Sequence, residues 1–133
     1  MTSMVELVTF LIDNYFSYYD KKHGVVTTPE QVATLLYGFG GQIAEVRTDE
    51  LIAVGLYLRL TDTSFKKATF EYMSNPRNFR ALMNEDGDNY HFIIVASKDA
   101  QGLLKGVMDC KKRKAKTISW YDNKRILHEY KLK

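Results

Sequence analysis

Six residues, Ser97-Lys98-Asp99-Ala100-Gln101-Gly102, hold the clearest prospect of chemistry in the chain. They follow an apolar run, residues 90–96, and lead into a basic amphipathic segment that reaches Lys116. A buried strand, a tight turn of small residues and a helix N-terminus together aim backbone N–H groups and a positive dipole end at an anion. Small side chains let the backbone come close to a phosphate, and Lys98 adds charge. The same residues also read as an ordinary strand-to-helix turn capped by Asp99.

Other residue types exclude more than they offer. No Ser/His/Asp or Cys/His pattern is recognisable, and there is no G-x-S-x-G. Cys110 is the only cysteine, so it forms no internal disulfide and reads as a buried structural thiol. No Cys/His spacing matches a zinc site, and no metal is expected. The acidic stretch 85–89 lacks the spacing and closing glutamate of a calcium loop and reads as a solvated turn. His91 and His128 read as satisfied core or edge residues.

The net charge of +3 conceals an asymmetry: residues 98–133 hold eleven Lys/Arg and four Asp/Glu, giving +7, which leaves −4 for the remainder. A basic C-terminal third attracts phosphate on a coenzyme, a nucleic acid or a membrane surface; a solvated helix face with a charged tail has the same composition. Lys105, Lys111, Lys112, Arg113, Lys114 and Lys116 precede Trp120 and Tyr121, and basic groups beside aromatics are the ingredients of single-strand nucleic-acid binding. No RNP, KH or helix-turn-helix signature accompanies them. Trp120 alternates with Ile118, so its ring is expected to face the core.

Periodicity supplies the elements that must position these residues. Ser3 and Glu6 form a capping-box pattern, and Met4, Leu7, Val8, Leu11, Tyr15 and Tyr18 share a helical face, predicting a helix over 4–19. A loop over 20–26 contains His23. Thr28-Pro29-Glu30-Gln31 opens a second helix over 29–37, with Gly38 as its stop. Strands are expected at 42–47 and 51–60, the latter nearly all apolar like a central strand, with Gly55 marking a bulge or close approach. Residues 64–84 read as helical with a break at Ser74-Asn75-Pro76. The strand at 90–96 leads to a helix over 101–113, with Leu103, Leu104, Val107 and Met108 inward. A hairpin over 116–121 and 125–132 turns around Asp122-Asn123, placing Ile126, His128, Tyr130 and Leu132 on one face.

The resulting order is α-α-β-β-α-α-β-α-β-β: one α+β domain over 1–133, a mostly antiparallel sheet with helices on both faces. The lone cysteine fits a reducing, cytoplasmic setting. The first apolar run has no basic region before it and is interrupted by Glu6 and Asp13, so neither a signal peptide nor a membrane span is expected.

In this order of elements the chain resembles the acyl-CoA N-acyltransferase (GNAT-like) superfamily. Two helices precede a β-hairpin, and a third strand feeds the loop and helix that hold the coenzyme pyrophosphate in that family. The family loop reads Gln/Arg-x-x-Gly-x-Gly/Ala. Gly102 matches its last glycine, Ala100 stands for the first, and Ser97 stands where Gln or Arg is usual. The resemblance implies acyl-CoA or acetyl-CoA as acyl donor, held by Val95, Ala96, Ser97, Lys98, Ala100, Gln101 and Gly102. It implies transfer to a primary amine of a protein or small acceptor.

Within the superfamily the layout is most similar to the toxin-activating lysine acyltransferases. These carry a helical insertion before the third strand, where 64–84 falls, and finish on a short basic hairpin. They pair a histidine after the first helix with an aspartate near the third strand. His23 holds the first place and suits a general base; Ile93 and Ile94 stand where the aspartate is expected. Other members use a glutamate base and a tyrosine acid, for which Glu45 and Tyr121 are the nearest residues. The rival reading is a non-catalytic protein of the same fold with an interaction or structural role, such as a phage or mobile element encodes. A nucleic-acid-binding module is the third.

Overall fold

Capping chemistry sets where the helices begin. In the computed structural model, which describes residues 2–122 and 124–132, the Ser3 hydroxyl accepts the Glu6 N–H at 3.1 Å and opens α1 (Met4–Leu11). The helix continues through a π-helical turn, Ile12–Phe16, where the Ser17 N–H reaches back to the Ile12 carbonyl, into α2 (Ser17–His23). The wider turn shifts the helical phase. Phe16 joins Leu7, Val8 and Leu11 in the buried set, while Met4 and Tyr18, expected on that face, are exposed. His23 is accordingly the last residue of a helix and not part of a loop; Gly24 closes it at φ 65°. Thr28 and Gln31 make the expected capping box for α3 (Pro29–Phe39), which runs past Gly38 to a cap at Gly40.

The fold is α+β, as expected. Five strands, β1 (Ile43–Arg47), β2 (Leu51–Leu60), β3 (Asn89–Ser97), β4 (Thr117–Tyr121) and β5 (Leu127–Lys131), form one sheet in sequence order. The pairs β1/β2 and β4/β5 are antiparallel. β3 and β4 pair in parallel over Asn89–Phe92, and the chain between them forms α7 (Ala100–Lys112). The insertion before β3 is three short helices, α4 (Asp62–Lys67), α5 (Phe70–Ser74) and α6 (Pro76–Met83). Asn123 lies outside the described residues, so the hairpin turn is known only at Asp122 and from Lys124 onward. Among the described residues, no helix is long and apolar enough to cross a membrane.

The chain packs as two compact units. One comprises residues up to Leu56 together with Ile94–Gly106. Its core is built from Leu11, Val32, Leu36, Val54, Leu56 and Ala96, all at or below 1% exposure. The β1/β2 irregularity falls between Val46 and Arg47; Gly55, expected at a bulge or a close backbone approach, sits in regular register opposite Ala44, so it is not a bulge. Asp20 accepts both the N–H and the hydroxyl of Thr27, at 2.7 and 2.6 Å, fixing the chain between α2 and α3.

The other unit comprises Tyr57–Ile93 and the chain from Val107 onward. Thr61, Thr69 and Asn75 each accept a backbone N–H at the start of its short helix. Glu85 ties the first of these down, accepting from Ser64 Oγ at 2.6 Å and from Thr61 at 3.2 and 3.3 Å. Gly87 donates to the Arg59 carbonyl at 2.9 Å, and a Cβ there would overlap the Leu60 carbonyl. Buried Asn89 bonds the Leu60 carbonyl, Asp62 and Thr117, at 3.1, 2.8 and 2.9 Å, and so satisfies its amide fully enough to sit in the core.

The α7 face departs from expectation. Gly102 and Cys110 are buried, whereas Leu103, Leu104 and Met108, expected inward, are exposed, Leu104 at 62%. The physical reason is visible at Gly102, where a Cβ would lie 3.0 Å from the Ile52 carbonyl and 3.3 Å from the Ala53 Cβ. The face without side chains allows the closest backbone approach, and that outweighs the leucine stripe.

Candidate functional site

The loop after β3 is satisfied from within. The Asp99 carboxylate accepts the Gly102 N–H at 2.9 Å, capping the first turn of α7 and placing a negative charge at its positive end. Ser97 Oγ donates to the Asp99 carbonyl at 2.7 Å and lies 3.4 Å from the Ile52 carbonyl. The Lys98 N–H donates to the Ile52 carbonyl at 3.0 Å, and its ammonium pairs with Glu50 at 2.8 Å. That hydrogen bond and charge hold the Glu50 carboxyl below its ordinary range.

The Asp99 carboxylate thus occupies the Gly102 N–H, one of the groups that the expected coenzyme pyrophosphate would use, and sets a negative charge beside it. Gly102 is demanded by Ser97, Ile52 and Ala53, which fill the space of its missing side chain. Of the other residues expected to hold the coenzyme, Ala96 is buried, Val95 is 40% exposed, and Ala100 and Gln101 are exposed in the first turn of α7.

The three residues expected to act as acid or base have identifiable places. His23 is exposed at the end of α2, its ring 4.3 Å from that of Tyr19. As a basic residue in the last turn it complements the helix dipole. Glu45 is half-buried on β1 opposite Val54. Tyr121 donates its hydroxyl to the Ala68 carbonyl at 3.2 Å, and burial, reinforced by Glu71, raises its pKa. That phenol pins β4 to the end of α4.

Strand register gathers a second set of residues. Phe92, Trp120 and His128 are backbone partners in one row across β3, β4 and β5, and Tyr90, Ile118 and Tyr130 form the next row. Partners in register share a sheet face. Trp120 stacks on His128 and Tyr130, with centroids 5.4 and 5.6 Å apart. Tyr57, from β2, stacks on Tyr90 at 4.6 Å and tilts against Phe92 at 5.3 Å. The Arg59 guanidinium lies 5.9 Å above the Tyr90 ring, and Arg113 donates to the Tyr57 hydroxyl at 3.2 Å.

Burial falls along these rows. Tyr57 and Tyr90 are buried, Phe92, Trp120 and His128 are half-buried, and Tyr130 is 57% exposed. Trp120 therefore does not sit in the core; only its neighbour Ile118 does. Asp122 accepts from His128 Nε2 at 2.9 Å and from the N–H groups of Lys124 and Ile126 at 2.8 and 3.0 Å, which holds the hairpin and the histidine ring in place. The bond from His128 is the chief cause of the lowered Asp122 pKa.

The opposite face of the same strands is closed. His91 is 2% exposed, with Nδ1 2.8 Å from Ser119 Oγ and its ring against Tyr121. Burial lowers its pKa to about 4, so the ring is neutral at pH 7. On the ring-face side, near Tyr90, Cys110 of α7 is a buried thiol, its pKa raised to about 11 by burial. Among the described residues, no group of three or more His, Cys, Asp and Glu side chains is placed to hold a metal ion.

The ring face was only half legible in the sequence. Alternation gives Tyr90/Phe92, Ile118/Trp120 and His128/Tyr130 as same-face pairs, but nothing local says that these pairs lie side by side. No family model matches the chain, and neither does any curated protein or solved structure.

Proposed function

We propose that the chain is a non-catalytic binding protein whose working surface is the ring face of β4 and β5. The observation that carries this reading is the Asp99 carboxylate on the Gly102 N–H. It puts a fixed internal anion where a coenzyme phosphate would bind, and the surrounding loop spends its polar groups on itself. On β4 and β5, by contrast, the stacked rings end in Tyr130, which is 57% exposed.

A second reading is an N-acyltransferase-like protein acting on a primary amine, with His23 or Glu45 as proton acceptor. The parallel β3–α7–β4 crossover favours it, since this is the element order that the GNAT-like resemblance expects. Calorimetry and thermal shift with acetyl-CoA and longer acyl-CoA thioesters separate the two. Binding protein predicts no heat and no rise in Tm. Saturable heat with a rise in Tm would establish coenzyme binding and favour the acyltransferase, because a ligand held by the native state alone must stabilise it.

A further inference from the structure

We infer that the ring face of β4 and β5 takes single-stranded nucleic acid, with an unpaired base stacking on Tyr130, the open end of the stack, and exposed lysines meeting the phosphates. This rests on the reading of that face as the working surface and names its partner class.

The rings come first. Tyr130 is the outermost ring of a stack that continues inward through Trp120, and the hairpin holding both is fixed by Asp122. A preformed aromatic stack with one open end offers a base a π-face at little ordering cost. Every base has such a face, so the contact is tolerant of sequence.

Charge decides the class of partner. Residues 107–132 hold eight Lys/Arg (111, 112, 113, 114, 116, 124, 125, 131) against three Asp/Glu (109, 122, 129). Of the eight, Arg113 pairs with Asp109, Lys116 with Asp62, Arg125 lies over the Phe70 ring, and Lys131 is the register partner of Thr117 on the face opposite the rings. Lys111, Lys112, Lys114 and Lys124 are exposed. The acids are largely engaged: Asp109 pairs with Arg113 at 3.0 Å, and Asp122 holds His128 and the turn. Glu129 is the register partner of Ser119, on the face opposite the rings. A polyanion with flat apolar faces satisfies both the charge and the rings; a lipid surface or an aliphatic groove partner satisfies only part of this.

The chain has one tryptophan, Trp120, so its fluorescence reports on this face. The test titrates the full chain with a dT oligonucleotide of about 20 nucleotides, at about 50 mM and about 200 mM NaCl. Saturable quenching is expected, with affinity falling roughly 18-fold across that salt range if about three phosphates are contacted. Tyr130→Ala should weaken binding at least about fivefold, the lower end for loss of one base–ring stack. Lys111→Gln with Lys112→Gln should leave quenching at saturation but flatten the salt slope by about 1.4.

The inference is overturned by an absence of quenching up to about 100 µM protein at the lower salt. It is also overturned by binding that Tyr130→Ala leaves unchanged, by equal affinity for a duplex of the same length, or by self-association through this face with no oligonucleotide bound. A parallel titration with acetyl-CoA keeps the two claims apart. Coenzyme binding sinks the proposed function, whereas failure of the oligonucleotide alone sinks only its partner class.

Discussion

The loop at residues 97–102 and the ring face of β4 and β5 are both places where a ligand is expected from residue types, and they are built in opposite ways. In the loop every distinctive residue is used by a neighbour. Asp99 caps α7, Lys98 pairs with Glu50, Ser97 bonds the chain ahead of it, and Gly102 fits a space that admits no side chain. On the ring face, aromatic area is left over. Tyr57 and Tyr90 are buried, but Tyr130 remains mostly in water. Residues suited to a function mark a site only when the fold leaves them unspent.

The largest expected effect tests whether the two sides of these strands differ as described. Burial lowers the folded-state pKa of His91 below its unfolded value, so the unfolded chain binds the extra proton. Stability is then full above about pH 6.5 and falls as pH drops toward 4, by about 3 kcal/mol in all. Urea unfolding across that range should show the loss, and His91→Gln should remove most of it. An unchanged pH profile in the variant would mean that this face is wet.

Gly102→Ala comes next. Overpacking against Ser97 and the Ile52 carbonyl should cost about 1–3 kcal/mol, offset in part by the better helix propensity of alanine. A stabilised variant in denaturant melts would show that the loop has room to spare, and the contrast with the ring face would collapse.

Asp99→Ala should lose the cap, about 1 kcal/mol, while Asp99→Asn should stay close to the native protein because an amide oxygen still accepts the Gly102 N–H. If both variants are neutral, the carboxylate is not committed to the helix. The smallest effect is expected on the other region: Tyr130→Ala should change stability by no more than about 0.5 kcal/mol. A loss above about 2 kcal/mol would class Tyr130 with the core residues and remove the open end of the stack.

Much of the fold was legible because its signals are local. Ser3, Thr28 and Gln31 cap the helices they were expected to cap, and the continuous apolar run of β2 is buried as expected. The local pattern fails at a change of helical phase and at a distant close contact. The π-helical turn at Ile12–Phe16 moved Tyr18 outward, and glycine packing at Gly102 turned Leu103 and Leu104 to solvent. Alternation with buried Ile118 assigns Trp120 its face but not how far that face is covered, and its ring is half-buried. The Asp99 cap was readable as an alternative, but choosing between cap and cradle required the 2.9 Å contact to Gly102.

Amide shift mapping on the ¹⁵N-labelled chain tests the contrast most directly, because it reads both regions in one titration. With the dT oligonucleotide, shifts should concentrate on the backbone of β4 and β5, and with acetyl-CoA the amides from Asp99 to Leu103 should stay where they are. Saturable acetyl-CoA shifts at Gly102 and its neighbours, with β4 and β5 silent under oligonucleotide, would contradict the account.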